Sequence, residues 1–235
     1  MKTRLKINGV IIVLGLLAIV LFPRVFLRAN RINCLGEITE VAGIAFILLG
    51  QIVRTSSRGY KAEHSKEGQA LIQGGPYAVV RNPMYLGIFL IGTGILLILF
   101  QLWVAVIFLC LFLLRYFTLI FKEERKLKAA FPDEYPLYQK KAPRFFPSFH
   151  TLIYKDIAEC LPLKTKWLKR EAWTMFAVLF GVILFELWSD IKNEGIAAYL
   201  KEELWVAVTF ALFLLAAAYL VKRTAFMEKN GTSKS

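Results

Sequence analysis

Asn82-Pro83-Met84-Tyr85-Leu86-Gly87-Ile88-Phe89-Leu90-Ile91-Gly92-Thr93-Gly94-Ile95-Leu96-Leu97-Ile98-Leu99-Phe100-Gln101-Leu102 decides how this chain folds. The apolar run that opens at Met84 resumes after Gln101 and continues to Phe121, with Arg115 as its single charge. A stretch of ~20 apolar residues crosses the ~30 Å hydrocarbon layer of a bilayer. This run is long enough to cross twice, from about Met84 to Phe100 and from Leu102 to Phe121. With so short a connection, the two spans form a tight antiparallel hairpin.

Four further apolar runs flank the hairpin: about Ile7 to Val25, Leu35 to Val53, Ala172 to Trp188 and Leu204 to Val221. The chain has 235 residues and is 57% hydrophobic, a value concentrated in these runs. The fold class follows as all-α: a polytopic membrane helix bundle of about six transmembrane helices. Lys2 to Lys6 before the first run resembles the start of a signal peptide. No small-residue cleavage site follows, so the run is read as a retained span. The organisation expected is an N-terminal hairpin (1–58), a core carrying the central hairpin (59–147), an interfacial segment (148–171) and a C-terminal hairpin with a polar tail (172–235). The interfacial segment mixes Phe149, Leu152, Ile157, Leu161 and Trp167 with basic residues, and Pro162 breaks it.

The net charge of +13 does not point to nucleic acid, because the basic residues lie in the connections between spans. Cytoplasmic loops carry that excess. With both termini inside, the N-terminus, residues 54–82, residues 122–172 and the C-terminus hold 3, 5, 12 and 4 basic residues. Arg24, Arg28 and Arg31 in the first outer loop run against this orientation. The expected location is an integral, multi-pass membrane protein with both termini and its site on the cytoplasmic side. Cys34, Cys110 and Cys160 are far apart, as are His64 and His150, so neither a disulfide framework nor a metal site is expected.

Two polar blocks flank the central hairpin and so meet on one side of the membrane. The first is Gly75-Pro76-Tyr77 through Arg81-Asn82-Pro83. Asn82 caps the third span and Pro83 takes its first helical position. The free N–H groups of that first turn suit an anion. The second block is Glu123-Glu124, followed by Phe131 to Tyr135 and Pro143-Arg144-Phe145-Phe146-Pro147. Carboxylates are disfavoured at a helix C-terminus by its dipole, so Glu123 and Glu124 call for a cationic ligand or a nearby arginine such as Arg81 or Arg144. Donors for an anion, carboxylates for a cation and aromatic walls together suit a zwitterionic, cationic cofactor.

Quieter readings stand beside these. Arg81 can snorkel to lipid phosphate, and Tyr77 and Tyr85 can be interface-belt aromatics. Glu124 can be a solvated helix end, and Arg144 can simply fix the chain as it leaves the site. Glu37 and Glu40 are read as structural. Trp167, Trp173, Trp188 and Trp205 are read as interfacial anchors.

The two blocks together resemble the integral-membrane methyltransferases of the isoprenylcysteine carboxyl methyltransferase and phospholipid N-methyltransferase superfamily. The residues that carry the resemblance are Gly75-Pro76-Tyr77, Arg81-Asn82-Pro83-Met84-Tyr85-Leu86-Gly87, Glu123-Glu124-Arg125-Lys126-Leu127, Phe131 to Tyr135, Tyr138 and Pro143 to Pro147. The resemblance implies S-adenosylmethionine bound from the cytoplasmic side and a lipophilic small-molecule or lipid acceptor entering from the membrane. It places cofactor contacts at Gln69, Ala70, Leu71, Ile72, Tyr77, Asn82, Pro83, Met84, Tyr85 and Glu123. Arg81, Tyr85, Glu124 and Arg144 are the candidate catalytic residues. Asn82 stands where the family carries histidine, and Leu119 where the isoprenylcysteine branch carries a substrate arginine. Carboxylate, amine, thiol and phenol acceptors all stay open, as does the oligomeric state. The alternatives are an NADPH-dependent membrane reductase of the sterol type, or a transporter or structural subunit without catalysis.

Overall fold

In a computed structural model, the described residues are 19, 21–28, 34–65, 70–147, 156–193 and 203–229. Most of the expected first span, Gln69 and the opening of the interfacial segment lie outside the described residues. All regular elements among those described are helical. In chain order they are α1 (Pro23–Phe26), α2 (Cys34–His64), α3 (Pro76–Val79), α4 (Pro83–Leu99), α5 (Leu102–Ala130), α6 (Glu134–Lys141), α7 (Ile157–Cys160), α8 (Thr165–Asn193) and α9 (Glu203–Lys229). Among the described residues, Ile38–His64 and Leu102–Ala130 are long and apolar enough to cross a membrane, and α4 is a shorter apolar helix. The expected fifth and sixth spans fall inside α8 and α9.

The expected hairpin is α4 and α5, and its turn has an additional support. The backbone N–H of Gln101 donates to the Phe26 carbonyl at 3.0 Å, and that of Arg28 donates to Leu99 at 3.2 Å. The Gln101 side-chain amide donates to the carbonyls of Arg24 and Leu27 at 3.1 and 3.3 Å. Gln101, the polar residue between the two spans, therefore supplies donors for carbonyls that lipid would leave unsatisfied.

The helices outrun the spans read from hydropathy. No proline or paired glycine interrupts residues 54–64, so α2 continues to His64. At ~1.5 Å per residue, its 31 residues cover about 46 Å, well beyond the hydrocarbon thickness. The 29 residues of α5 likewise carry it past Phe121. The overhanging ends of α2 and α5 stand on either side of the α4 N-terminus and form the walls of the polar site.

Helix α2 packs most extensively on α4. Small residues set that contact. A Cβ on Gly50 would lie 2.6 Å from the Gly87 carbonyl, and one on Gly87 would lie 2.9 Å from Arg54 Cβ. Gly94 similarly faces the Gly43 backbone. In lipid, helices associate through such close van der Waals contact rather than through the hydrophobic effect. Gly94 is thus a packing residue. Ile44, Ile47, Leu48, Ile98, Leu99 and Val182 continue the core where α8 joins α2 and α4.

One interfacial reading changes. Trp167 is buried, not an anchor at the lipid boundary. Its ring covers Gly59, and its indole N–H donates to Glu63 Oε1 at 2.7 Å. Nearby, the buried Glu171 carboxylate pairs with Arg58 at 2.9 Å and Arg54 at 3.4 Å, which ties α8 to the overhang of α2. The cation pair Arg54 and Arg58, one turn apart, was the sequence signal for such a carboxylate. Replacing Gly50 with leucine is expected to lower stability by about 1–3 kcal/mol through overpacking. Thermal denaturation of the detergent-solubilised protein, with Gly181→Leu as the open-space control, measures it.

Candidate active site

Gly74-Gly75 makes the turn that leads into the site. Gly75 adopts φ +56, in the left-handed region that glycine enters freely. A side chain there would also strike the Tyr60 ring, 2.7 Å from the position of its Cβ. Tyr60 stacks in turn on His64, with ring centroids 3.9 Å apart. The turn delivers the short helix α3, which carries Tyr77. The Tyr138 hydroxyl on α6 donates to the Tyr77 carbonyl at 2.7 Å.

Arg81 then anchors the chain by donating its backbone N–H to the Pro143 carbonyl at 2.8 Å. Asn82 ends the segment at the N-cap of α4, but its side chain does not cap the helix. Its amide instead donates to the Arg144 carbonyl at 3.0 Å and to Glu124 Oε1 at 3.4 Å. Asn82 thereby joins the first polar block to the second. The α4 N–H groups are left without that side-chain acceptor.

The carboxylate of Glu124 sits at the centre of this arrangement. It is buried, accepts from Arg144 Nε at 3.1 Å and lies 3.5 Å from Arg81 Nη1. The guanidinium of Arg144 also lies over the Phe121 ring, 4.6 Å from its centroid. Because α5 continues to Ala130, Glu124 does not stand at a helix C-terminus as the sequence suggested; it needs its two guanidinium partners because it is buried. The solvated-end reading of Glu124 does not hold. Arg81 does not reach out to lipid either, because its side chain is only 9% exposed.

One guanidinium has hydrogen-bonding capacity to spare. Arg81 Nε is buried without a hydrogen-bond acceptor, and Nη1 faces Glu124 only as the 3.5 Å ion pair. A buried donor without an acceptor is costly, and an anionic ligand group would satisfy it. Glu123, one residue from Glu124, is exposed. Its carboxylate lies near the hydroxyls of Tyr77 and Tyr85 and supplies the negative counterpart. Burial, with the Glu123 charge adding to it, pushes the Tyr77 phenol well above its ordinary range. Burial and the neighbouring tyrosines do the same for Tyr138. Both stay protonated at neutral pH.

Sequence reasoning brought Arg81, Asn82, Glu124 and Arg144 together, and the structure places them in direct contact. Tyr77, Tyr85 and Glu123 cluster beside them. Tyr85 also meets Tyr116 edge-on, at 5.5 Å between centroids. Pro83 is buried behind Asn82, and Met84 is partly buried in the same turn. Ala70, Leu71 and Ile72 approach through the Gly74-Gly75 turn, and Leu71 packs against Tyr135 and Tyr138. Arg115 is exposed on α5. Tyr60, the buttress of the turn, was not legible in the sequence; an aromatic beyond the apolar part of α2 was its only signal.

Behind the polar cluster lies an apolar cavity of about 330 Å³. Its walls include Val80, Pro83, Leu86, Phe146, Cys160 and Leu161. Val80 and Pro83 flank the Arg81-Asn82 pair in sequence, and Phe146 follows Arg144 closely. The cavity therefore backs directly onto the charged groups. Its volume is at the lower end of the ~300–1,000 Å³ range of small-molecule sites.

The phospholipid methyltransferase profile matches residues 10–134, more than half of the chain. The chain belongs to the phospholipid methyltransferase family. It is also similar to the protein-S-isoprenylcysteine O-methyltransferase of Schizosaccharomyces pombe, 32% identical over 125 residues, which is 49% of this chain and 52% of that protein. The match thus spans about half the length of that curated relative. No solved structure matches the chain. The motif blocks that meet at Glu124 begin inside the family match, while the Arg144 segment lies beyond its end.

Two outcomes test this geometry. Glu124→Ala would leave Arg81 buried and unpaired and is expected to cost about 3–5 kcal/mol, more than Glu123→Ala, as measured by denaturant titration in detergent. Tyr77 and Tyr138 bind their protons more tightly folded than unfolded. Their contribution to stability is therefore intact below the ordinary phenol value of ~10 and is lost as pH rises above it. Thermal midpoints should fall through that alkaline window, and less so in Tyr138→Phe.

Proposed function

We propose that this protein is a six-span membrane methyltransferase that uses S-adenosylmethionine to methylate a lipophilic acceptor at the cytoplasmic boundary. The observation that carries the reading is the buried Glu124 carboxylate, which draws Arg81, Asn82 and Arg144 of two separated blocks onto one point, with Arg81 Nε left open beside it. The family match supports it.

These residues fit the donor molecule, which carries a carboxylate, an ammonium and a sulfonium. Arg81 and the first-turn N–H groups of α4 would take its carboxylate. Glu123, with Tyr77 and Tyr85, would take its cationic portion. Residues 70–72, joined by Gln69, would border the rest. When bound, S-adenosylmethionine supplies an electrophilic methyl group on a positively charged sulfur.

The protein's own contribution is placement. Holding the acceptor nucleophile in line with that methyl can supply up to ~7–11 kcal/mol of the barrier. Burial behind Asn82 and Pro83 excludes water, which strengthens the electrostatic contacts.

The proton balance narrows the acceptor. Glu124 has its oxygens engaged by Arg81, Arg144 and Asn82, and Tyr77 and Tyr138 hold their protons. That leaves Glu123, which the reading gives to the cationic part of the donor, and a nucleophile that arrives deprotonated needs no base. We assign the acceptor to the carboxylate class. The similarity to a protein named as an isoprenylcysteine O-methyltransferase supports that assignment. Glu124 and Arg144 are then positioning groups, with Arg144 available to steady an acceptor carboxylate.

Calorimetry with S-adenosylhomocysteine tests the reading. The wild-type protein is expected to bind, and the Glu123→Ala, Tyr85→Ala double variant to lose at least tenfold in affinity. Unchanged tight binding by the double variant would remove these residues from the donor site.

A further inference from the structure

Helix α7 lies beyond the stretch that matches the family, which ends at residue 134, yet it forms one wall of the apolar cavity through Ile157, Cys160 and Leu161. The wall is held in place by its own contacts. Asp156 caps α7 by accepting from the Ala158 N–H at 2.9 Å and pairs with Arg223 of α9 at 2.9 Å. The Leu163 N–H donates to Thr224 at 3.0 Å, and Ser56 of α2 donates to the Pro162 carbonyl at 2.6 Å. Cys160 packs against Val79 and Val80, immediately before Arg81.

We propose that the α7 wall, through Cys160 and Leu161, is the specificity-determining surface for the apolar chain of the methyl acceptor. This rests on the reading of the site as a methyltransferase centre. The cavity is lined by apolar side chains and Cys160 alone, so a polar headgroup belongs outside it, at Arg81 and Arg144. Lipid tails are as apolar as the lining. A chain arriving from the bilayer therefore gains little from burial, and discrimination comes from shape. Extra bulk at the wall shortens the chain that fits, because overpacking forces strained side chains. The position of α7 is set by α2 and α9, so the C-terminal helices tune acceptor choice without contacting the reacting atoms.

The test reads binding at the cavity without requiring turnover. Protein carrying Cys34→Ser and Cys110→Ala, in phosphatidylcholine nanodiscs, is labelled at Cys160 with a small apolar maleimide. N-acetyl-S-alkylcysteines of short, medium and long alkyl chain are added as competitors. Long-chain members are expected to slow labelling at least fivefold, and short-chain members less than twofold. Leu161→Trp is expected to erase protection by the long chain, with affinity for S-adenosylhomocysteine within twofold of wild type. Ile157→Trp repeats the test should Leu161→Trp misfold.

Labelling that ignores chain length, or protection unchanged by either tryptophan, overturns the proposal and leaves the cavity to membrane lipid. A wild-type protein that binds no S-adenosylhomocysteine overturns the methyltransferase reading instead. Chain-length-dependent protection of Cys160 is scored separately from that result.

Discussion

A single carboxylate, Glu124, holds the site together. Removing an ion from water is expensive, and only close partners with good geometry offset it. Here Arg144 Nε at 3.1 Å, Arg81 at 3.5 Å and the Asn82 amide at 3.4 Å supply those partners. They come from two separated segments: Arg81 and Asn82 at the start of α4, and Arg144 after α6. The Asn82 amide adds a direct bond to the Arg144 carbonyl at 3.0 Å. The backbone bond from Arg81 to Pro143 and the bond from Tyr138 to Tyr77 then lock the same two segments in register.

The membrane explains why this cluster sits where it does. Helices α2 and α5 are longer than the hydrocarbon is thick, and their overhangs carry every charged residue of the site that is not on a connecting segment. Close packing at Gly50, Gly87, Gly43 and Gly94 fixes the α4 N-terminus against α2. The polar groups are thereby set beyond the apolar part of both helices. The apolar cavity on the other side of Asn82 and Pro83 completes the arrangement, with charge on one face and a greasy recess on the other.

Much of this was legible in the sequence, for identifiable reasons. Runs of apolar residues mark helices in lipid because the backbone has no other way to satisfy its polar groups. Gly75, Pro76, Asn82 and Pro83 constrain the backbone locally, so the turn and the start of α4 could be placed to the residue. The expectation of arginine partners rested on Glu123 and Glu124 closing a helix; α5 runs on to Ala130, yet Arg81 and Arg144 do pair with Glu124, because it is buried. The burial of Trp167 was not legible, because an aromatic in an amphipathic stretch looks the same whether it faces lipid or covers a glycine on another helix. Nor was the buttress of Tyr60 on Gly74-Gly75, which joins residues on separate elements.

The sequence by itself determined the helical membrane class, the central hairpin, the two polar blocks and their meeting on one side. Those features follow from local backbone chemistry and from hydropathy, which act along the chain. Only the tertiary structure decided which carboxylate is buried and which is open. It showed Glu124 enclosed by two guanidinium groups and Glu123, its neighbour, exposed. Adjacent residues on a helix face about 100° apart, and only the packing of α5 against its neighbours selects the inward one. The structure likewise revealed the cavity wall at α7, because a cavity belongs to elements far apart in sequence and is written in none of them.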